Sequence, residues 1–294
     1  MGILNFAHRG SDLVVCPAFD RKLGETNCIS CGQCAAACPT GAITIFNEIG
    51  RGWRALHDPK KRVVFQIAPA VRVAVGEAFG LEPGVNAINK LVSALKMMGA
   101  DEVYDTTFGA DLTVMEEADE FLERLKKGGP FPMFTSCCPA WVEFAETFYP
   151  DLNSPSVVDQ RAQSAILSPI IKTYFAQQKN IDPKKIVNVC VTPCTAKKSE
   201  IRRPQLSAAG LFWDEPEIRD TDICITTREL AKWIQGRKHR LRQLRKTANS
   251  TSTFGSSVRR RPLFRQLRRR YGSGHSYGLP HVHRPSGTEG LHPL

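Results

Sequence analysis

Two adjacent cysteines stand in Thr135-Ser136-Cys137-Cys138-Pro139-Ala140-Trp141, after the short apolar run Phe131 to Phe134 and before the amphipathic segment Pro139 to Phe148. Pro139 suits the first turn of a helix, where its missing N–H costs nothing. The cysteines are therefore expected at a helix N-terminus, where the dipole and free amides favour the thiolate. A thiolate both binds metal and moves protons. Thr192-Pro193-Cys194-Thr195-Ala196-Lys197-Lys198-Ser199-Glu200 repeats the idea after the strand-like Ile186 to Val191. A third group is the run Cys28-x2-Cys31-x2-Cys34-x3-Cys38-Pro39. Its tight turns can aim thiolates and amides at one face of a 4Fe–4S cubane, while the last cysteine of such runs usually serves a second cluster. A zinc knuckle is the competing reading, but it typically uses cysteine pairs or cysteine with histidine. Cys28, Cys31 and Cys34 then need a further thiol; Cys16 could supply it, although a bystander role is the simpler reading.

These residues must be positioned by a scaffold. Val63 to Ala68 reads as a buried strand closed by Pro69, Asn86 to Met98 as a helix stopped by Gly99, and Asp101 to Thr107 as a short strand. Asp111 to Lys127 reads as a helix with acids early, bases late and Gly128-Gly129 as a stop. Strand and helix signals alternate again at Phe131–Phe134, Pro139–Phe148, Ala162–Ala176, Ile186–Val191, Ile223–Thr226 and Glu229–Ile234, with Thr226-x-x-Glu229 as a capping box. This alternation predicts α/β architecture with parallel strands, whose ligands lie beyond the carboxyl ends of strands. Met1 to Asn27 shows no clear periodicity and reads as loop with a short strand. Cys190 and Cys224 fall inside strands and read as small core residues.

Composition bounds the rest. The length suits roughly two domains at ~150 residues each. The ten cysteines are clustered, which points to metal binding in a reducing compartment and not to a secreted disulfide framework. Met1 to Arg9 lacks a signal-peptide core, and the best apolar run, Val63 to Val75, is broken by Gln66 and Arg72. A cytoplasmic location and no membrane partner are the expectation. The net charge of +11 comes from the tail: residues 237–294 hold 14 Lys/Arg and one acid, which leaves 26 basic against 28 acidic residues, a net of −2, in 1–236. The tail carries Arg259-Arg260-Arg261 and Arg268-Arg269-Arg270 without periodicity, and is expected to stay disordered. No aromatic platform accompanies the charge, so nucleic acid is not an expected partner. The abrupt loss of acids and periodicity reads as an out-of-frame translation of GC-rich DNA.

The segments Thr135–Trp141 and Pro193–Glu200 resemble the first two signatures of the iron-only (di-iron) hydrogenases. The flanks Thr107-Phe108-Gly109-Ala110-Asp111-Leu112-Thr113, Gly129 to Phe134, and Asp222 to Leu230 agree. The resemblance covers roughly residues 5–236 and divides the chain into part of a ferredoxin-like α+β module (1–58), part of a catalytic domain (59–236) and the tail (237–294). It implies 4Fe–4S clusters and a di-iron centre with cyanide, carbonyl and dithiolate ligands, reversible reduction of protons to hydrogen, and ferredoxin or another redox carrier, maturation proteins and other hydrogenase subunits as partners. It makes Cys138 and Cys194 cubane ligands, Cys137 the proton-passing thiol, Lys197 the donor to a cyanide, Glu117 and Glu120 the proton path, and Cys28, Cys31, Cys34 and Cys38 the ferredoxin-like run. Thr135, Ser136, Pro139 and Trp141 match as shaping residues. The plainer readings are a solvated face for Glu117 and Glu120 and surface charge for Lys197 beside Lys198.

Three departures stand beside the matches. Thr192 occupies a position where many members have Met. Ser154 to Gln163 strays from the usual pattern, with Ser156 the nearest candidate for the serine that joins the two glutamates. No cysteine follows Cys224, so the family's third segment, with two more cysteines, is not in this sequence. The chain as written is therefore expected not to hold the active cluster, its site being incomplete, and a hydrogenase-like iron–sulfur sensor or cluster-assembly protein is the alternative function.

Overall fold

Val63, Val64, Phe65, Gln66 and Ile67 are all buried, the mark of a strand covered on both faces. They belong to β3 (Arg62–Ile67) of a computed structural model that describes residues 1–152 and 163–236. Two strands precede it: β1 (Leu4–Ala7) and β2 (Val14–Pro17) pair antiparallel as a separate hairpin. Between this hairpin and β3 lie the five-residue helix α1 (Gln33–Ala37) and α2 (Ile49–His57). Then follow α3 (Pro69–Ala74), α4 (Ile88–Met97), β4 (Glu102–Asp105), α5 (Thr107–Lys127) and α6 (Pro139–Phe148). The chain continues through α7 (Gln163–Ile170), one wider π-type turn at Ile171–Phe175, and α8 (Ala176–Lys179) to β5 (Ile186–Thr192). It closes with α9 (Lys197–Glu200), α10 (Ala208–Trp213), β6 (Ile223–Thr226) and α11 (Thr227–Gly236).

The main sheet has the order β4-β3-β5-β6, and each neighbouring pair is parallel. Alternation along β3 divides the core. Val63, Phe65 and Ile67 pack with Leu91, Leu95, Val189, Ile225, Leu230 and Trp233 on one side. Val64 packs with Tyr104, Phe108, Leu112, Leu167, Ile171 and Phe175 on the other. Each such side chain contributes about 1.5–3 kcal/mol by burial. The chain leaves β3 toward β4 on one flank and returns to β5 on the other. The carboxyl ends of β3 and β5 thus form a topological switch point, where open parallel sheets place their ligands. The Ala68 amide donates to the Val191 carbonyl at 3.0 Å and holds those two ends together.

The expected strands at Val63–Ala68, Ile186–Val191 and Ile223–Thr226 are present to within a residue. The capping box also forms: the Thr226 amide donates to the Glu229 carboxylate at 2.8 Å, and the Glu229 amide donates to the Thr226 hydroxyl oxygen at 3.3 Å. The expected strand at Phe131–Phe134 is absent, with only a single bridge residue at Phe134. Pro130 and Pro132 have no N–H to donate to a ladder, which outweighs the apolar run. Cys137-Cys138 consequently follow a loop rather than a strand end. The expectation of loop with a short strand over Met1–Asn27 had one strand where a two-stranded hairpin forms, whose apolar residues point largely outward; Phe6 and Val15 are 72% and 56% exposed. The helix expected over Ala162–Ala176 is interrupted by the π-type turn just after Pro169, whose ring cannot donate a helical hydrogen bond. The basic tail and Ser156 lie outside the described residues.

Candidate iron–sulfur and active site

Cys138 is the N-cap residue of α6, and its carbonyl accepts from the amides of Trp141 at 3.1 Å and Val142 at 3.2 Å. Cys194 follows β5 at the switch point. A polar seam docks α6 onto the α9 region: Arg203 forms an ion pair with Glu146, and Glu143 bonds to Ser199. That docking brings the Cys138 and Cys194 thiols close enough that a charge on Cys138 raises the Cys194 pKa. Burial is the larger cause of the rise, while the amides of Ala196 and Lys197 act in the opposite sense. Those amides give a thiolate or a bound sulfide two donors. Cys137 and Cys138 are both exposed, and between them and the core lies Ser136, 1% exposed, whose hydroxyl has no hydrogen-bond partner among the described residues.

Lys197 is not a surface charge. Its Nζ donates to both Glu200 oxygens at 2.9 and 2.7 Å, and both side chains are about nine-tenths buried. An ammonium has three donors, so one N–H remains for an anionic ligand beside Cys194. Glu200 was missed from sequence, although the Lys-x-x-Glu spacing within one turn could have indicated it. Lys198 is buried too and pairs with Glu229 at 3.0 Å, with Glu48 4.0 Å away and the Cys224 carbonyl accepting at 2.8 Å. Glu48 is fully buried; Arg51 donates to one oxygen and the Cys224 amide to the other at 3.0 Å. This network fastens the chain just before α2 to β6 and α11, and no sequence pattern joined those positions.

The run Cys28–Cys38 lies against the same end of the sheet. Ser30 and Gly32 flank Cys31 in the left-handed region, with φ of 55° and 77°. The Thr195 hydroxyl donates to the Ser30 carbonyl at 2.9 Å, so the residue next to Cys194 touches the turn that carries Cys31. A Cβ on Gly32 would meet the Thr195 Oγ1 at 2.7 Å, so only glycine fits there. The Cys38 thiol is lowered to about 7, first by the Thr40 hydroxyl and then by the amides of Ile43, Thr40 and Ala42. Such a donor set suits a thiolate ligand. Among the described residues no three His, Cys, Asp or Glu side chains converge as on a single ion. A cubane takes one thiolate at each of four separate iron corners, so its ligands stand further apart. Cys28, Cys31 and Cys34 would thus supply three corners of a cubane at the ferredoxin-like run, and Cys138 with Cys194 would supply two corners of another. Cys16 instead donates to Asp20 at 3.3 Å.

Glu117 and Glu120 are half-buried on α5, and Glu120 is engaged by the buried Arg124 of the next turn. Cys190 and Cys224 face one another in register on β5 and β6 and are buried, as a core role requires. Among the described residues no helix is long and apolar enough to cross a membrane.

The geometry agrees with relationships to known proteins. The model of the iron only hydrogenase large subunit, C-terminal domain, matches residues 61–266, and that of the 4Fe-4S binding domain matches 23–44. The NADP-reducing hydrogenase subunit HndD of Solidesulfovibrio fructosivorans is 46% identical over 241 residues, 80% of this chain and 40% of that subunit. The cytosolic iron-sulfur assembly component 3 of Bos taurus is 29% identical over 283 residues, 92% of this chain and 57% of that protein. Among solved structures, an apo FeFe-hydrogenase HydA1 variant from Chlamydomonas reinhardtii superposes with a TM-score of 0.63 at 39% identity, over 70% of this chain and 53% of that one. The chain therefore spans about half the length of these relatives. With a parallel sheet, a 4Fe–4S motif and a hydrogenase-domain match over most of its length, it belongs to the iron-only hydrogenase large-subunit family.

Proposed function

We propose that this chain is part of a hydrogenase catalytic subunit that interconverts two protons and two electrons with hydrogen. The observation that carries this reading is the buried Lys197–Glu200 pair just after Cys194 at the switch point, with α6 and its Cys138 docked on that region through Arg203 and Glu146. When bound, the di-iron centre supplies the place where hydrogen is made or split. Cys138 and Cys194 would hold two corners of its cubane, and the remaining Lys197 N–H would donate to an anionic ligand. Cys137, exposed beside Cys138, would carry the proton on its Sγ, with Glu120 and Glu117 upstream on one face of α5. Electrons would enter by the Cys28–Cys38 cluster from ferredoxin or a similar carrier, in the cytoplasm, after loading by maturation proteins. The domain division 1–58, 59–236 and 237–294 belongs to the same reading.

Two thiolates are half of a cubane's set. The 294-residue polypeptide is accordingly expected to load the Cys28–Cys38 site and to turn over hydrogen poorly. Maturation followed by hydrogen evolution from reduced methyl viologen tests this, and rates normal for a hydrogenase would refute it. The alternative, a cluster-assembly role, draws on the bovine assembly relative, which matches along nearly the whole chain. Stoichiometric transfer of a cluster from this chain to an apo-ferredoxin, with no hydrogen formed, would favour it. Against it stand Cys137, Glu117, Glu120 and Lys197, which a non-catalytic relative has no chemical need to keep.

A further inference from the structure

We infer that Thr195 is a positioning residue that locks the Cys31 turn against the chain carrying Cys194, so that the two iron–sulfur sites keep one fixed separation. The inference rests on the reading that both sites hold iron–sulfur clusters. Three observations meet at this residue. The Thr195 hydroxyl donates to the Ser30 carbonyl at 2.9 Å, across 165 residues of sequence. The same hydroxyl sits where a Gly32 side chain would be, 2.7 Å from an ideal Cβ. Ser30 itself is held at φ 55°, a conformation that costs a residue with a Cβ free energy unless its surroundings enforce it.

These facts have one physical consequence. Ser30 and Gly32 are the two residues that turn the backbone around Cys31, and both meet Thr195. The turn geometry that aims Cys28, Cys31 and Cys34 at a cluster is therefore set by a side chain of the other site. Thr195 directly follows Cys194, so a shift at one ligand set is transmitted to the other through one hydroxyl. Electron transfer between clusters falls steeply with distance, and a contact that removes play between them serves that step directly. Thr195 acts through the Ser30 carbonyl and Gly32, which makes it a positioning residue.

The test uses the full chain, reconstituted anaerobically with ferrous iron and sulfide, as wild type, Thr195→Val and Thr195→Ser. Valine keeps the shape and removes the donor; serine keeps the donor. Two readings are taken at the Cys28–Cys38 cluster: its rate of iron loss to a chelator, and its midpoint potential followed by electron paramagnetic resonance. Thr195→Val is expected to speed iron loss about fivefold, as for a net hydrogen bond, and to shift the potential and broaden the resonance. Thr195→Ser is expected to restore both. Unchanged loss and potential in a loaded Thr195→Val chain would overturn the inference and leave the iron–sulfur reading intact. A wild-type chain that takes up no cluster at Cys28–Cys38 would overturn the iron–sulfur reading itself.

Discussion

Lys197 Nζ binds both oxygens of Glu200, at 2.9 and 2.7 Å, inside the protein and three residues along a four-residue helix. Two charges share this interior site, and each is there because of the other. Removing one leaves the second buried and uncompensated, a loss of about 3–5 kcal/mol. Lys197→Met is therefore expected to destabilise the chain by about 3 kcal/mol, and the double variant with Glu200→Met by much less. Urea denaturation of the three proteins, analysed as a double-mutant cycle, measures the coupling.

Asp220 accepts from the amides of Ala208 at 3.0 Å and Ala209 at 2.8 Å, at the start of α10. Burial raises its pKa despite those donors, and burial likewise raises Glu200. A carboxyl raised in the folded state stabilises fully below its unfolded pKa, and that contribution is lost as pH rises through the folded value. Stability is thus expected to fall as pH climbs above the ordinary carboxylate range. Asp220→Asn keeps an acceptor oxygen and should flatten part of this slope. Denaturation midpoints at several pH values between 4 and 8 would show the difference; an identical slope in the variant would exclude Asp220 as a source.

Lys198 pairs with Glu229 at 3.0 Å beneath α11 and stands 4.0 Å from Glu48, which Arg51 also pairs, ahead of α2. Lys198→Met strands at least one buried carboxylate and is expected to cost about 3 kcal/mol or more. Because Glu48 precedes α2, local opening should appear first there. Hydrogen exchange of the α2 amides would report it, and unchanged protection would contradict the role assigned to Lys198.

The six cysteines assigned to clusters and the two assigned to the core separate in one measurement. Cys190→Ala and Cys224→Ala should leave iron per chain unchanged and cost about 1 kcal/mol in packing. Cys31→Ala should reduce bound iron markedly after reconstitution. Loss of iron from Cys224→Ala would move that residue from the core to a ligand set.

The sequence by itself determined the iron–sulfur character and most of the periodic elements. Cysteine spacing named the iron–sulfur run, the pairing of Cys137-Cys138 with Pro139 named a helix N-terminus, and the strands β3, β5 and β6 stood out as short apolar runs. These signals are local, because a helix turn or a strand imposes its period on residues a few positions apart. The prolines at 130 and 132 are local as well, and weighing their missing donors would have removed the false strand at Phe131–Phe134. Tertiary structure alone decided which residues meet. Cys138 reaches Cys194 because α6 docks on the α9 region, Thr195 finds Ser30 across 165 positions, and Lys197 and Lys198 are interior because carboxylates await them. A lysine's identity does not state its burial; its partners do, and Glu48 and Glu229 arrive from positions 181 residues apart.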